Sequence, residues 1–153
     1  MFVKIFSMTA KQTELVKETW ALVVNMDTHT VGMLFYNRLF EIAPQLKAMF
    51  PEDNMKSQIS KLLIMLTYIV SKLDRLDELR NEVAKLAQRH VKYGVRDEHY
   101  EWVGRALLWT LEIGLQKKWD DEIKMAWTVC YTTLSEAMKD AARFAADREN
   151  AVF

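Results

Sequence analysis

The chain has little that would punctuate it, cross-link it or charge it. Its 153 residues include one cysteine, two prolines and four glycines, and 21 basic side chains balance 21 acidic ones. The lone Cys130 rules out an internal disulfide and any multi-cysteine metal site, and it fits a reducing compartment. A formal net charge of zero gives no electrostatic reason to expect nucleic acid or a membrane surface as a partner. No apolar run is long enough to span a bilayer, and the first residues are too short and interrupted for a secretory signal. A cytoplasmic protein is therefore expected. So few glycines and prolines leave too little turn chemistry for many strands and hairpins. What remains is half hydrophobic and 27% charged, the composition of a soluble globular chain. Its length suits one domain that can bury a core or enclose a small cofactor.

The apolar residues recur with a helical period, and strand alternation is missing. A first helix is expected over about residues 9–24, with Leu15, Val16, Thr19, Trp20 and Val23 on one face and a Thr9/Gln12 capping box at its start. A second begins near Asp27 or Thr28 and carries Val31, Leu34, Phe35, Leu39 and Phe40. Pro44 suits the first turn of a short helix that ends at Phe50, because Pro51 prevents its continuation. Further helices are expected over about residues 55–73, 76–92 and 98–115, the last capped by Asp97. A final helix follows Asp120 or Asp121, turns Ile123, Ala126, Trp127, Cys130, Leu134 and Met138 inward, and frays over residues 145–150. The expected organisation is one all-α domain over residues 9–144, with residues 1–8 as an extension and 145–153 as a tail.

Of the three histidines, His29 and His99 stand at or beside helix starts and read as surface residues. His90 differs. It ends the apolar stripe Leu79, Val83, Leu86, Ala87, so its imidazole points inward, and Gly94 stops the helix just beyond it. An inward imidazole needs a partner for each ring nitrogen. It is either a hydrogen-bonded core residue or a metal ligand.

Six segments narrow that choice. They are Leu34-Phe35-Tyr36-Asn37-Arg38-Leu39-Phe40, Pro44-Gln45-Leu46-Lys47-Ala48-Met49-Phe50, Ser57-Gln58-Ile59-Ser60-Lys61-Leu62, Ala87-Gln88-Arg89-His90 with Tyr93-Gly94-Val95, His99-Tyr100-Glu101-Trp102-Val103-Gly104, and Ala126-Trp127 with Tyr131. In this order, on these helices, the chain resembles the globin family over roughly residues 9–138. It is most similar to the single-domain globins related to the globin half of bacterial flavohaemoglobins. The resemblance implies a three-over-three helical sandwich around haem b, with its helices packed at steep angles.

The resemblance also assigns roles. His90 matches the proximal ligand, binding iron through Nε2 while Nδ1–H donates to a carbonyl one turn earlier. Phe50 matches the phenylalanine wedged against the haem face. Gln58 falls at the distal position, with Leu62 one turn on, and Tyr36 matches a phenol aimed into the same pocket from the second helix. Leu86 and Val95 are expected as apolar haem contacts, and Lys61 as a propionate partner, with Arg89 and Lys92 as alternatives. Tyr100 matches a proximal tyrosine. The proximal glutamate of flavohaemoglobins does not carry over: its position falls on Ala142, and Glu136 and Asp140 have a different helical phase. The distal segment 57–62 contains no histidine, so ferrous iron should be five-coordinate without added ligand.

Tyr36 and Gln58 are neutral donors that can stabilise a partly anionic O2. Each such hydrogen bond contributes about 1.5–3 kcal/mol, and about 1.4 kcal/mol is tenfold in an equilibrium constant. Tight reversible O2 binding is the function implied, with CO and NO as further ligands. The alternative is nitric oxide dioxygenation with a separate reductase, because the chain ends at Phe153 with no flavin or nicotinamide domain. A haem-free regulatory module would have no need of His90.

Overall fold

The computed structural model describes the backbone of residues 8–152 and the side chains of residues 8–144. Six α-helices carry the fold: α1 (Ala10–Val24), α2 (Thr28–Ile42), α3 (Met55–Ser71), α4 (Arg80–Lys92), α5 (Asp97–Leu115) and α6 (Asp121–Val152). Tighter 3₁₀ turns at Pro44–Met49, Glu52–Asn54, Leu73–Leu79 and Gln116–Lys118 join them, and the described residues contain no strand. Of the expected extension, residues 1–8, residues 1–7 lie outside the described residues, while Met8 packs against the core.

Local chemistry sets the helix starts. The Thr9 hydroxyl accepts from the Gln12 N–H, and the Gln12 side chain accepts from the Thr9 N–H, each at 3.0 Å. Asp27 accepts from the Thr30 N–H at 3.2 Å and Asp120 from the Ile123 N–H at 2.8 Å, satisfying donors that the first turns of α2 and α6 leave unpaired. Pro44 opens its turn as expected, but that turn is 3₁₀ and not α.

The helices pack as two layers of three, α1, α3 and α4 over α2, α5 and α6, with α2 on α5, α4 on α6 and α1 on α6 as the most extensive contacts. The core between them holds Val16, Leu39, Leu79, Leu111 and Trp127, all fully buried. Each such aliphatic side chain contributes roughly 1.5–3 kcal/mol of burial free energy. The polar edges of the buried indoles are satisfied: Trp127 Nε1 donates to the Thr19 hydroxyl at 2.9 Å, and Trp20 Nε1 donates to the Thr67 hydroxyl at 3.0 Å.

Three expectations need correction. The helix expected from residue 76 starts only at Arg80, because the chain turns through a 3₁₀ segment with a kink at Arg75 (φ −139°, ψ 49°). Asp97 does not cap α5; it is the first helical residue, and Arg96 takes the cap position. The backbone of α6 stays helical to Val152, through the stretch expected to fray.

Two helices set the geometry that follows. Where α2 crosses α3, a Cβ on Gly32 would lie 2.3 Å from Ile59 Cγ2, so only glycine allows so close an approach. By contrast, α3 and α4 barely touch.

Candidate functional site

His90 lies on the last turn of α4, half-buried, with Nδ1 2.8 Å from the Leu86 carbonyl oxygen. A carbonyl can only accept, so Nδ1 carries the proton. This leaves the Nε2 lone pair free, and no described residue hydrogen-bonds it. Burial pushes the His90 pKa down, and the neighbouring Arg89 charge pushes it the same way against the Leu86 hydrogen bond. The imidazole is therefore neutral at pH 7, the form that binds a metal.

The end of α4 fixes what stands beside it. Gly94 adopts φ +85°, the left-handed conformation that closes a helix, its N–H bonds the Val91 carbonyl at 3.0 Å, and the Val95 N–H returns to the His90 carbonyl at 3.0 Å. That hydrogen-bonded closure ties half-buried Val95 to the turn that carries the imidazole.

Tyr100, on α5, stacks parallel to His90, with ring centroids 6.4 Å apart and planes 14° off parallel. The Tyr131 hydroxyl, from α6, donates to the Tyr100 carbonyl at 2.6 Å. Lys139, one further turn pair along α6, places Nζ 5.9 Å from the Tyr100 ring centroid. Sequence reasoning missed Tyr131 and Lys139 as parts of this wall. The available signal was their eight-residue spacing on α6, which puts both on one helix face.

The second wall comes from α2 and α3. Tyr36 lies one turn after Gly32, and Gln58 precedes Ile59, so the close α2–α3 crossing brings both side chains together. The Gln58 side chain comes close enough to the Tyr36 hydroxyl to lower its pKa. Tyr36 is only 2% exposed and sits among Phe35, Phe50 and Phe40 at centroid distances of 4.9, 5.3 and 6.1 Å. Burial raises its pKa to about 12, partly opposed by Gln58, so the phenol keeps its proton and can donate. A cleft of about 400 Å³ opens beside Tyr36, lined by Met33, Phe40, Phe50 and Met55 together with the polar Asn37, Glu41, Lys47 and Glu52. A larger one of about 560 Å³, beside the start of α1, holds none of the expected site residues.

The other expected residues fall as follows. Phe50, Leu62, Leu86 and Val95 are half-buried, whereas Lys61, Arg89 and Lys92 are exposed. Ala142 is half-buried and brings no carboxylate, while Glu136 pairs with Lys139 at 3.8 Å and Asp140 with Arg143 at 2.7 Å. His29 is exposed as expected, but His99 is not: it is only 7% exposed. Its Nδ1 accepts the Arg96 N–H at 3.1 Å and its ring stacks on Trp102 at 5.3 Å, so capping work at the start of α5 draws it inward. Cys130 is buried, and burial pushes its thiol up to about 12, leaving it inert.

The donor set tests what could bind here. No group of three or more His, Cys, Asp or Glu side chains able to hold a metal exists among the described residues. A metal on Nε2 of His90 would have to bring its remaining ligands with it. Half-buried Leu62 and Leu66 on α3 and Val83 and Leu86 on α4 supply apolar surface of the kind a flat, hydrophobic prosthetic group covers. One neutral imidazole, apolar surface and no competing ligand cluster fit haem.

A three-over-three α sandwich with this site belongs to the haem-holding all-α proteins. The comparisons narrow the class. Residues 34–138 match the Globin family, and the chain belongs to it. It is 32% identical to an anaerobic nitrite reductase of Physcomitrium patens, over 90% of this chain and 82% of that protein. Against an anaerobic nitrite reductase of Gossypium hirsutum it is 34% identical, over 86% of this chain and 91% of that one. Among solved structures, the bacterial globin of Campylobacter jejuni superposes with a TM-score of 0.79 at 26% identity, covering 91% of this chain and 99% of that one. Family membership implies haem and the binding of diatomic gases.

Proposed function

We propose that this globin holds haem b through Nε2 of His90 and binds O2 reversibly and tightly, with Tyr36 and Gln58 as its distal donors. One observation carries the reading: the buried Tyr36 phenol and the Gln58 side chain, from different helices, lie close enough for Gln58 to act on the phenol's pKa. Bound haem supplies ferrous iron, which takes O2, CO or NO and leaves most negative charge on O2. The phenol O–H and the amide N–H then donate to that charge without being charged themselves. The Leu86 carbonyl fixes the His90 ring and its tautomer. Phe50, Leu62, Leu86 and Val95 keep water from the faces of the macrocycle, and Tyr100 packs on the imidazole. Lys61 serves as the propionate partner at the rim, with Arg89 and Lys92 as alternatives. A cytoplasmic setting belongs to this reading, on the single buried thiol.

Absorption spectra of the purified protein test it. A Soret band, and a single broad visible band in the ferrous unliganded form, are expected. Two sharp low-spin bands would mean that another side chain reaches the iron. A protein with no Soret band after haem addition refutes the reading outright.

A second reading is enzymatic. A pocket that retains O2 also suits nitric oxide dioxygenation, with electrons from a separate reductase. The names of the plant relatives point instead to nitrite. Aerobic NO consumption with an external reductant, set against anaerobic nitrite consumption and simple O2 dissociation, separates the three.

A further inference from the structure

The carboxylates of the proximal wall are already engaged. Glu136 pairs with Lys139 at 3.8 Å, while Asp140 and Asp97 both pair with Arg143, at 2.7 and 3.3 Å. None of them accepts from His90, whose Nδ1–H goes to the neutral Leu86 carbonyl. Two charges act on Tyr100, whose pKa burial raises: Asp97, which raises it further but is itself paired with Arg143, and Lys139, whose Nζ lies 5.9 Å from the ring centroid and whose side chain is only 20% exposed. Glu136, its partner, is 51% exposed and therefore better screened by water. Tyr100 stacks on His90 in turn, and Tyr131 pins the Tyr100 backbone, so the series Lys139, Tyr100, His90 is held by defined contacts.

From this arrangement we infer that Lys139 is a tuning residue for the iron, holding it in the ferrous state that binds O2. The inference rests on the haem reading above. A fixed positive charge opposes loss of an electron from a nearby centre, because the ferric state adds a second positive charge to the same low-dielectric region. The two ring-centroid separations place Lys139 within about 12 Å of the imidazole. At an effective dielectric near 20, one charge at that range shifts the ferric-to-ferrous ratio by roughly threefold to tenfold. The effect is opposite in sign to that of a proximal glutamate. It makes reversible gas binding the favoured outcome and electron donation toward O–O cleavage the disfavoured one.

Spectroelectrochemical titration of the haem-loaded protein tests this. Lys139→Met should lower the midpoint potential, raising the ferric-to-ferrous ratio at fixed ambient potential roughly threefold to tenfold. Lys139→Glu should lower it further, and Lys139→Arg should restore the native value. Raised ionic strength should shrink these differences. Glu136→Gln, a change at an exposed side chain, should move the midpoint the other way by leaving Lys139 unneutralised. It keeps the test open if the Lys139 variants fold poorly. Midpoints that coincide for the native, Met and Glu proteins, or that do not move with Glu136→Gln, overturn the inference. A native protein that takes up no haem refutes the underlying reading instead, and the two failures look different at the first spectrum.

Discussion

Replacing Tyr36 with Phe removes one oxygen atom and leaves the ring in place. The contacts to Phe35, Phe40 and Phe50 belong to the ring, so they survive the change. The hydroxyl has two roles here: it meets Gln58 now, and it would face O2 in the loaded protein. A hydrogen bond to a charged acceptor is worth about 1.5–3 kcal/mol, which corresponds to roughly 10–150-fold in the O2 off-rate if it is lost outright. The lower end is the better expectation, because the freed Gln58 amide can turn fully towards the ligand. Tyr36→Phe should therefore speed O2 release by about tenfold. Gln58→Leu should do the same, and the double variant should deviate from additivity by about 0.5 kcal/mol or more, since the two donors share one acceptor and each other. CO release should change far less. With the phenol pKa raised to about 12, the native off-rate should also stay flat from about pH 6 to 10. Flash photolysis and stopped-flow displacement measure all five quantities. Off-rates within about twofold of native in both single variants would show that neither side chain faces the ligand, and the tight-binding argument would go with them.

Other outcomes follow from the same contacts. His90→Ala should lose normal haem retention or regain a Soret band with added imidazole; an unchanged spectrum without imidazole would remove His90 as the ligand. Gly32→Ala should cost about 1–3 kcal/mol in chemical denaturation, because the new Cβ meets buried Ile59 at 2.3 Å, and it should also speed O2 release by spreading α2 from α3. Both His90 and His99 have lowered pKa values, chiefly through burial, so below about pH 6.5 the unfolded chain binds protons that the folded chain resists. Stability of the haem-free protein should be full above that pH and fall as pH drops through it; equal denaturation midpoints at pH 8 and pH 5.5 would contradict this.

What could be read in the sequence was whatever a periodic pattern or a local cap determines. Long amphipathic stretches such as α1 and α6 announce themselves because burial of one face dominates their energetics, and the Thr9/Gln12 box lies within one turn. The Leu73–Leu79 segment was harder. Its leucines at 73, 76 and 79 recur every three residues, the period of a 3₁₀ helix, and a reading tuned to 3.6 took the second half as α. His99 misled for a different reason. Charged neighbours in sequence suggested solvent, but at a helix start a side chain can reach back to a backbone N–H and be drawn under by that bond.

The candidate site divides along the same line. His90, Tyr36 and Gln58 were legible as candidates through a family resemblance, which also implied a carbonyl one turn before His90 as its hydrogen-bond partner; the structure shows that carbonyl to be Leu86. The contact between Tyr36 and Gln58 was not legible from spacing, because it depends on how closely two helices cross, and that depends on a glycine four residues before one of them. Lys139 was less legible still. On paper it is one more charge on a long helix, most cheaply explained as solvated. Only the fold shows it mostly buried behind a tyrosine that stacks on the imidazole. Position along the chain decided which side chains are candidates for the two faces of the proposed site. Under the proposed haem site, their three-dimensional partners would decide the sign of what they do there, and Lys139 beside Tyr100 would make it positive on the His90 side.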